Sequence, residues 1–417
     1  MSEIILINVS GQDQPGLTSS LMGILAEYEV DILDIGQAMI HDTLSLGMLV
    51  KVPEAASMSP VLKDVLFHIH DKGMQVRFTP VSEEQYANWV EGAGRPRYIF
   101  TLLGRRITAD HIGRMASVIT ENDLNIEDIV RLSGREPLYK SSGQQSRACI
   151  ELTVRGQPVD LDAMKQRFLE ISQQFDVDIA FQEDSIWRRN RRLVVFDMDS
   201  TLIQQEVIDE LADRAGVGDE VRGITERAMQ GELDFRESLR RRVALLEGLD
   251  ESVLEDVAEN LSLTEGAERL IRTLKTFGYR TAIISGGFSY FGRYLQRKLG
   301  VEYVHANDLE VRDRKVTGRV TGQIVDGERK AQLLREIAAA ENLAMDQTIA
   351  VGDGANDLPM LRLAGLGIAF RAKPLVKQNA RQSLSALGLD GILYLIGIKD
   401  AEAADEVVRQ NDASARN

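Results

Sequence analysis

A single cysteine, Cys149, occurs in 417 residues. That excludes an intrachain disulfide and any cysteine-based zinc cage, and makes a reducing cytoplasm the expected home. No apolar run is long enough to span a bilayer. The opening MSEIILINVS lacks a basic stretch ahead of a long apolar segment, so no signal peptide is expected. Positive charge is in deficit too: the formal net charge of −15 argues against broad binding to nucleic acid or an anionic membrane. An anionic substrate therefore needs local Lys or Arg, or a bound cation. What is present is ordinary for a globular protein, 44% apolar and 27% charged. The length suits about two to four domains.

Residues 1–183 carry one pattern twice. Strands are expected over 4–10, 32–40, 44–52 and 74–80, with helices over 16–27 and 61–72. The second copy places strands over 98–104, 126–132, 147–154 and 177–181, with helices over 108–121 and 160–175. Each is β-α-β-β-α-β, an order that folds as one sheet with two helices on one face. This order resembles the ACT domain, a ferredoxin-like sensor of small molecules, and implies ACT-like domains at 1–84 and 95–183. In the first copy QDQPGL closes a turn at a helix N-terminus, where free N–H groups can hold a carboxylate. Asp13 and Gly16 are thus a candidate effector site, although a plain turn with Asp13 as helix cap explains the same residues. The second copy has RRITADHI there and lacks the loop. EGAGRPR (91–97) separates the copies, and SIWRRNRR (185–192) reads as a solvated linker.

After residue 192 strands and helices alternate, as in a doubly wound α/β parallel sheet. Strands are expected over 193–196, 281–284, 303–306, 348–351 and 366–369, in a domain spanning 184–399. Charged helical sequence over about 205–268 is far more than one crossover needs and reads as an inserted helical cap. The polar stretch 400–417 reads as a mobile end.

In such sheets ligands sit beyond the carboxyl ends of the strands, and chemistry-bearing residues gather there. Asp197 and Asp199 follow the first strand; Ser285, Gly286 and Gly287 follow the second. Lys330 opens a helix, and Asp353, Asn356 and Asp357 follow the fourth strand. Each has a dull explanation alone, as cap, turn or surface lysine. Together they supply what phosphoryl transfer needs: hard oxygen ligands for Mg²⁺, donors for phosphoryl oxygens and a carboxylate able to attack. DMDST, ISGG, Lys330 and GDGANDLPML resemble the haloacid dehalogenase superfamily. The resemblance implies Asp197 as nucleophile and Asp199 as general acid and base. It also implies Mg²⁺ held by the Asp197 and Asp353 side chains with the Asp199 carbonyl. Ser285, Gly286, Lys330 and Asn356 would face the phosphate, supported by Asp357.

The cap narrows the substrate. Glu206 lies at its start, while Phe235 and Arg242, seven apart, share a helix face. Cation and anion receptors beside a phosphate site suit a phosphorylated zwitterion. The pattern resembles superfamily members that hydrolyse O-phosphoserine, with Glu206 on the ammonium, Arg242 on the carboxylate, and Met229 and Phe235 as apolar wall. The expected function is hydrolysis of phosphoserine at the end of serine biosynthesis, with serine as effector of an ACT-like homodimer. No nucleic-acid or membrane partner is expected. Two alternatives remain: phosphoryl transfer to another acceptor such as homoserine, and an amino-acid-sensing regulator with idle chemistry.

Overall fold

The computed structural model describes residues 3–54, 58–92, 94–135, 137, 146–229 and 232–403. It resolves into two units, Met1–Arg95 and Pro96–Asn417.

In the first unit, strands β1 (Glu3–Gln12), β2 (Asp31–Ile40), β3 (Thr43–Val52) and β4 (Gln75–Val81) form an antiparallel sheet ordered β2-β3-β1-β4. Helix Leu17–Glu27 buries Leu17, Leu21 and Leu25, and helix Met58–Asp71 buries Val61, Val65 and Ile69. These four-residue spacings give each helix one apolar face, which meets the alternating Leu44, Leu46, Met48 and Val50 of β3. A further helix, Glu83–Gly92, follows β4 and buries no residue, which is why its periodicity escaped the sequence.

The second unit opens with a matching sheet, β5 (Arg97–Gly104), β6 (Asn125–Arg131), β7 (Ala148–Arg155) and β8 (Val177–Glu183), ordered β6-β7-β5-β8. Its apolar core runs on into the rest of the unit: Leu103, Leu132, Cys149 and Ala180 pack in one cluster with Val194 and Phe196. Polar contacts cross the same seam. The Asp178 carboxylate accepts from the N–H groups of Ser385 and Ala386, each at 2.7 Å. Arg105 forks onto Glu265 at 2.7 and 2.6 Å.

The reading of SIWRRNRR as a solvated linker is corrected. Arg188 and Arg191 are 1% and 5% exposed. Arg188 pairs with Glu151, and its carbonyl accepts from Arg191 at 3.2 Å. Guanidinium groups tolerate burial when acceptors reach them, and here the carboxylate comes from β7. Asp400, expected to begin a mobile end, accepts from Gly134 N–H at 2.7 Å and from Arg269 at 2.6 Å. The remainder of that stretch, 404–417, lies outside the described residues.

The large sheet comprises β9 (Leu193–Phe196), β10 (Arg280–Phe288), β11 (Tyr303–Arg312), β12 (Lys315–Thr321), β13 (Thr348–Gly352), β14 (Leu366–Phe370) and β15 (Gln382–Leu384). Its order is β12-β11-β10-β9-β13-β14-β15, parallel except where β12 folds back on β11. β9 lies between β10 and β13 with all four residues fully buried, so an unbroken apolar run is what its place demands. β12 and β15 were not anticipated. The β11–β12 turn is made by Asp313 and Arg314, both at positive φ (49° and 62°). Asp-Arg carries little of the Asn-Gly signal that marks such turns. Helices Val207–Ala215, Gly218–Met229, Phe235–Ala244 and Ser252–Glu259 are inserted between β9 and β10. Ile203 and Leu263 pair at the base of this insertion. Among the described residues, no helix is long and apolar enough to cross a membrane.

Candidate active site

The site begins where β9 stops. The Asp197 N–H donates to the Val351 carbonyl at 2.9 Å, holding the chain beside β13 one residue past the strand. Its carboxylate accepts from the Met198 N–H at 2.8 Å. The chain then turns at Ser200, which adopts φ +53°, rare for a residue with a side chain. The turn aims the Ser200 hydroxyl at Glu206 Oε1, to which it donates at 2.7 Å. Asp199 points inward and accepts from Val207 N–H at 3.0 Å, at the start of the first cap helix.

Behind Asp197 lies an ionic core. Lys330, fully buried, sits 2.9 Å from Asp197 Oδ2 and 2.6 Å from Asp357 Oδ1. Asp357 also accepts from Gly354 N–H at 3.0 Å, and Thr201 donates to Asp353 at 3.2 Å. Oxygens of Asp197, Asp353 and Asp357 lie within 4.8 Å of one another. Burial opposes charge on Lys330, but Asp197 and Asp357 outweigh it and raise its pKa. Burial, then Asp197 and Asp357, pushes Asp353 up to about 8. Asp357 is pushed up to about 7 by burial and then Asp197, despite its bond to Lys330. The two ends of that pair therefore shift as if only the lysine were satisfied. The reason is stoichiometry: one ammonium cannot compensate three carboxylates. The formal excess of two negative charges, carried on hard oxygens, fits a divalent cation such as Mg²⁺.

This cluster makes stability depend on pH. Because the folded pKa values of Asp353 and Asp357 are raised, their contribution favours folding at low pH and is lost as pH rises through about 7 and 8. Protons compete with a cation for the same oxygens. Mg²⁺ should therefore raise the urea midpoint of metal-stripped protein more at pH 8 than at pH 5. Equal shifts at both pH values would disprove the assignment of the cation to this cluster.

A cavity of roughly 640 Å³ opens over these groups. Asp197, Asp199, Ser285, Asp353 and Asn356 line its sheet side, with Glu206, Phe235 and Arg242 from the cap. Ser285 Oγ lies 3.5 Å from Asp199 Oδ2 and accepts from Gly287 N–H at 2.9 Å. This loop has no room for side chains. A Cβ on Gly286 would stand 2.8 Å from Phe235, and one on Gly287 would stand 2.3 Å from Asp199 Oδ2. Burial first, then the charges of Glu206 and Asp197, raises the Asp199 carboxyl well above the usual range. Burial likewise raises Glu206 and lowers Arg242.

The structure thus brings Asp197, Asp199, Glu206, Phe235, Arg242, Ser285, Gly286, Lys330, Asp353, Asn356 and Asp357 to one end of the sheet. The side chain of Met229 lies outside the described residues. The Asp357 carboxylate also lies in the three-oxygen cluster with Asp197 and Asp353. Three contributors were missed in the sequence. Asn307, 1% exposed, donates to the Gly286 carbonyl at 2.7 Å and accepts from Val325 N–H at 2.9 Å, fixing the glycine loop. Ser200 fastens Glu206. Asp209 lines the cavity with one buried oxygen lacking a hydrogen-bond partner. Only Ser200 carried a signal, its place inside DMDST.

At the candidate effector loop, Gly16 caps helix Leu17–Glu27 at φ +87°, and that helix has no side-chain cap bond. The Asp13 N–H donates to the Asp42 carbonyl at 2.8 Å. The Leu17 N–H of the first turn donates to the Gln14 carbonyl at 3.4 Å, and no side-chain hydrogen bond from the helix to Asp13 is found among the described residues.

Residues 194–362 match the haloacid dehalogenase-like hydrolase family and residues 3–79 the ACT domain. A phosphoserine phosphatase of Streptomyces coelicolor is 41% identical, covering 96% of this chain and 94% of its own. Phosphoserine phosphatase SerB2 of Mycobacterium tuberculosis is also 41% identical, with 96% and 95% covered. The unliganded structure of a probable phosphoserine phosphatase from Vibrio cholerae superimposes with a TM-score of 0.57 at 35% identity, over 75% of this chain and 88% of that one. The chain belongs to the phosphoserine phosphatases of the haloacid dehalogenase-like hydrolase family, with an ACT domain at its N-terminal end.

Proposed function

We propose that this chain hydrolyses O-phosphoserine to serine and phosphate, the closing step of serine biosynthesis, through a phosphorylated Asp197. The observation that carries the reading is one cavity lined by Asp197 and Asp199 at its base and by Glu206 and Arg242 at its wall. Only a phosphate ester with both an ammonium and a carboxylate uses all four. Asp197 Oδ attacks phosphorus while the Ser285 hydroxyl and nearby backbone N–H groups face the phosphoryl oxygens and Lys330, behind Asp197, steadies its carboxylate. Asp199, its carboxyl raised by burial and neighbouring charge, protonates the departing serine oxygen. The resulting carboxylate then takes a proton from water as that water attacks the phosphorus of the aspartyl-phosphate, breaking the Asp197 Oδ–P bond and releasing phosphate and the free Asp197 carboxylate. Bound at Asp197 and Asp353, with the Asp199 carbonyl and Asp357 close by, Mg²⁺ would offset negative charge on the phosphoryl group. A reducing cytoplasm suits the one cysteine, a buried thiol whose pKa burial raises well above its usual value.

Arg242→Ala tests the substrate. A buried charge-assisted contact is worth about 1.5–3 kcal/mol, so kcat/KM for phosphoserine should fall about ten- to hundredfold more than for an aryl phosphate. Equal losses on both substrates would make Arg242 a structural residue of the cap.

Serine is the effector we assign to the first ACT domain, with its carboxylate on the N–H groups following Gly16. A Cβ at Gly16 meets no atom within 4 Å, but φ +87° strains any β-branched residue. Gly16→Val should therefore distort the loop, weaken serine binding to the full chain in calorimetry and leave aryl phosphate hydrolysis intact. Unchanged serine binding would rule this loop out. For assembly we propose a homodimer through small-sheet edges, where β2 exposes Ile35, Met39 and Ile40. A monomeric mass in sedimentation would refute it.

A further inference from the structure

Away from the active site, a second cleft of roughly 270 Å³ runs along the seam between the β5–β8 sheet and the large sheet. Helix Leu161–Phe175 and β8 form one wall, and residues 377–383 the other. The seam is clamped by Gln382, whose side-chain oxygen accepts from Phe181 N–H at 3.0 Å while its amide donates to the Phe181 carbonyl. Beside this clamp the floor is apolar, with Phe168 and Ile179 at 3% and 9% exposure. The rim is cationic: Lys165, Lys377 and Arg381 stand against one carboxylate, Asp162.

Those charges are weakly satisfied inside the protein. Lys165 and Asp162 form a loose surface pair at 3.7 Å, with Asp162 95% exposed. The Arg381 guanidinium donates to the Gly365 carbonyl at 3.3 Å. Among the described residues, neither Arg381 nor Lys377 forms an ion pair within 4.0 Å, although the Lys377 charge reaches the buried Asp178 carboxylate at longer range. In a chain of net charge −15, three cations gathered over aromatic and aliphatic carbon invert the local field. The volume sits just under the about 300–1,000 Å³ usual for drug-sized ligands.

We propose that this cleft binds a small organic anion, its charged head on Lys377 and Arg381 and its apolar body on Phe168 and Ile179. The site is distinct from the phosphoserine cavity and from the Gly16 loop. It also touches the active site through one element: helix Pro374–Asn379 presents Lys377 and Gln378 to the cleft, and Leu375 and Val376 to the phosphoserine cavity. A ligand held by Lys377 thus contacts a helix that also lines the active-site cavity.

The test uses 3-phenylpropionate as probe and uncharged 3-phenylpropanol as control, titrated calorimetrically into the full chain. Arg242→Ala serves as the background, because it removes the carboxylate receptor of the phosphoserine cavity. Phenylpropionate should bind at one site, and phenylpropanol at least about tenfold more weakly. Adding Lys377→Gln with Arg381→Gln should weaken phenylpropionate by a similar factor and leave aryl phosphate hydrolysis unchanged. Arg381→Lys, which keeps the charge and alters the bond to Gly365, should retain binding. The proposal is overturned if phenylpropionate ignores the paired Gln substitutions, if the alcohol binds equally well, or if Arg242→Ala alone abolishes binding. Because the readout is binding, a failure of phosphoserine hydrolysis would leave this result standing.

Discussion

Asp197→Asn is expected to fold normally and to lose phosphate release by a factor on the order of 10⁴ to 10⁶. The first half of that expectation rests on Lys330. With Asp197 neutral, the buried ammonium keeps Asp357 at 2.6 Å, so no charge is stranded. The second half rests on chemistry. An amide has no anionic oxygen to attack phosphorus, and it removes one of three carboxylates from the cation cluster. Fluoroberyllate, which mimics an aspartyl-phosphate, should bind the parent chain at Asp197 and leave the Asn variant unlabelled. Near-normal phosphate release from the variant, with its circular dichroism unchanged, would refute the covalent mechanism.

Lys330→Met should do the reverse and strike stability as well as turnover. The side chain is fully buried and serves two carboxylates that are themselves 8% and 0% exposed. Removing one partner of a buried pair costs about 3–5 kcal/mol, because the charge left behind has no water to turn to. Methionine fills much of the same volume, so the loss is electrostatic and not a cavity effect. The sign with pH is fixed by the same reasoning. Asp357, whose folded pKa is already raised to about 7, is tolerated without the ammonium only when protonated, so the unfolding midpoint should drop more at pH 8 than at pH 5. A drop of equal size at both values would assign the effect to packing.

Asn307 and Arg242 mark where sequence reading reached and where it stopped. Arg242 was found because Phe235 and Arg242 share a helix and the helix repeat puts them on one face. Asn307 was not, because it acts from β11 on the Gly286 carbonyl of β10, and nothing in its neighbourhood in sequence announces a partner 21 residues away. Strand positions were legible for the same local reason. LVVF at β9 and the alternating residues of β3 carry their environments in their own pattern. Edge strand β12 buries only Val316 and carries Gly318, β15 is three residues long and too short to show a pattern, and the Asp-Arg turn lacks a glycine to signal its positive φ.

Sequence alone therefore determined the order of the well-buried elements, the strand ends that carry acids, and the type of chemistry those acids suit, since each depends on residues close together in the chain. Tertiary structure alone decided the partners. It placed Lys330 between Asp197 and Asp357, put Arg188 against Glu151, and packed the β5–β8 sheet into the core around Phe196. Charges with that much burial are set by what reaches them from elsewhere. A basic octet such as SIWRRNRR reads the same in solvent or in a core, and only the folded chain supplies the Glu151 carboxylate that makes burial of Arg188 tolerable.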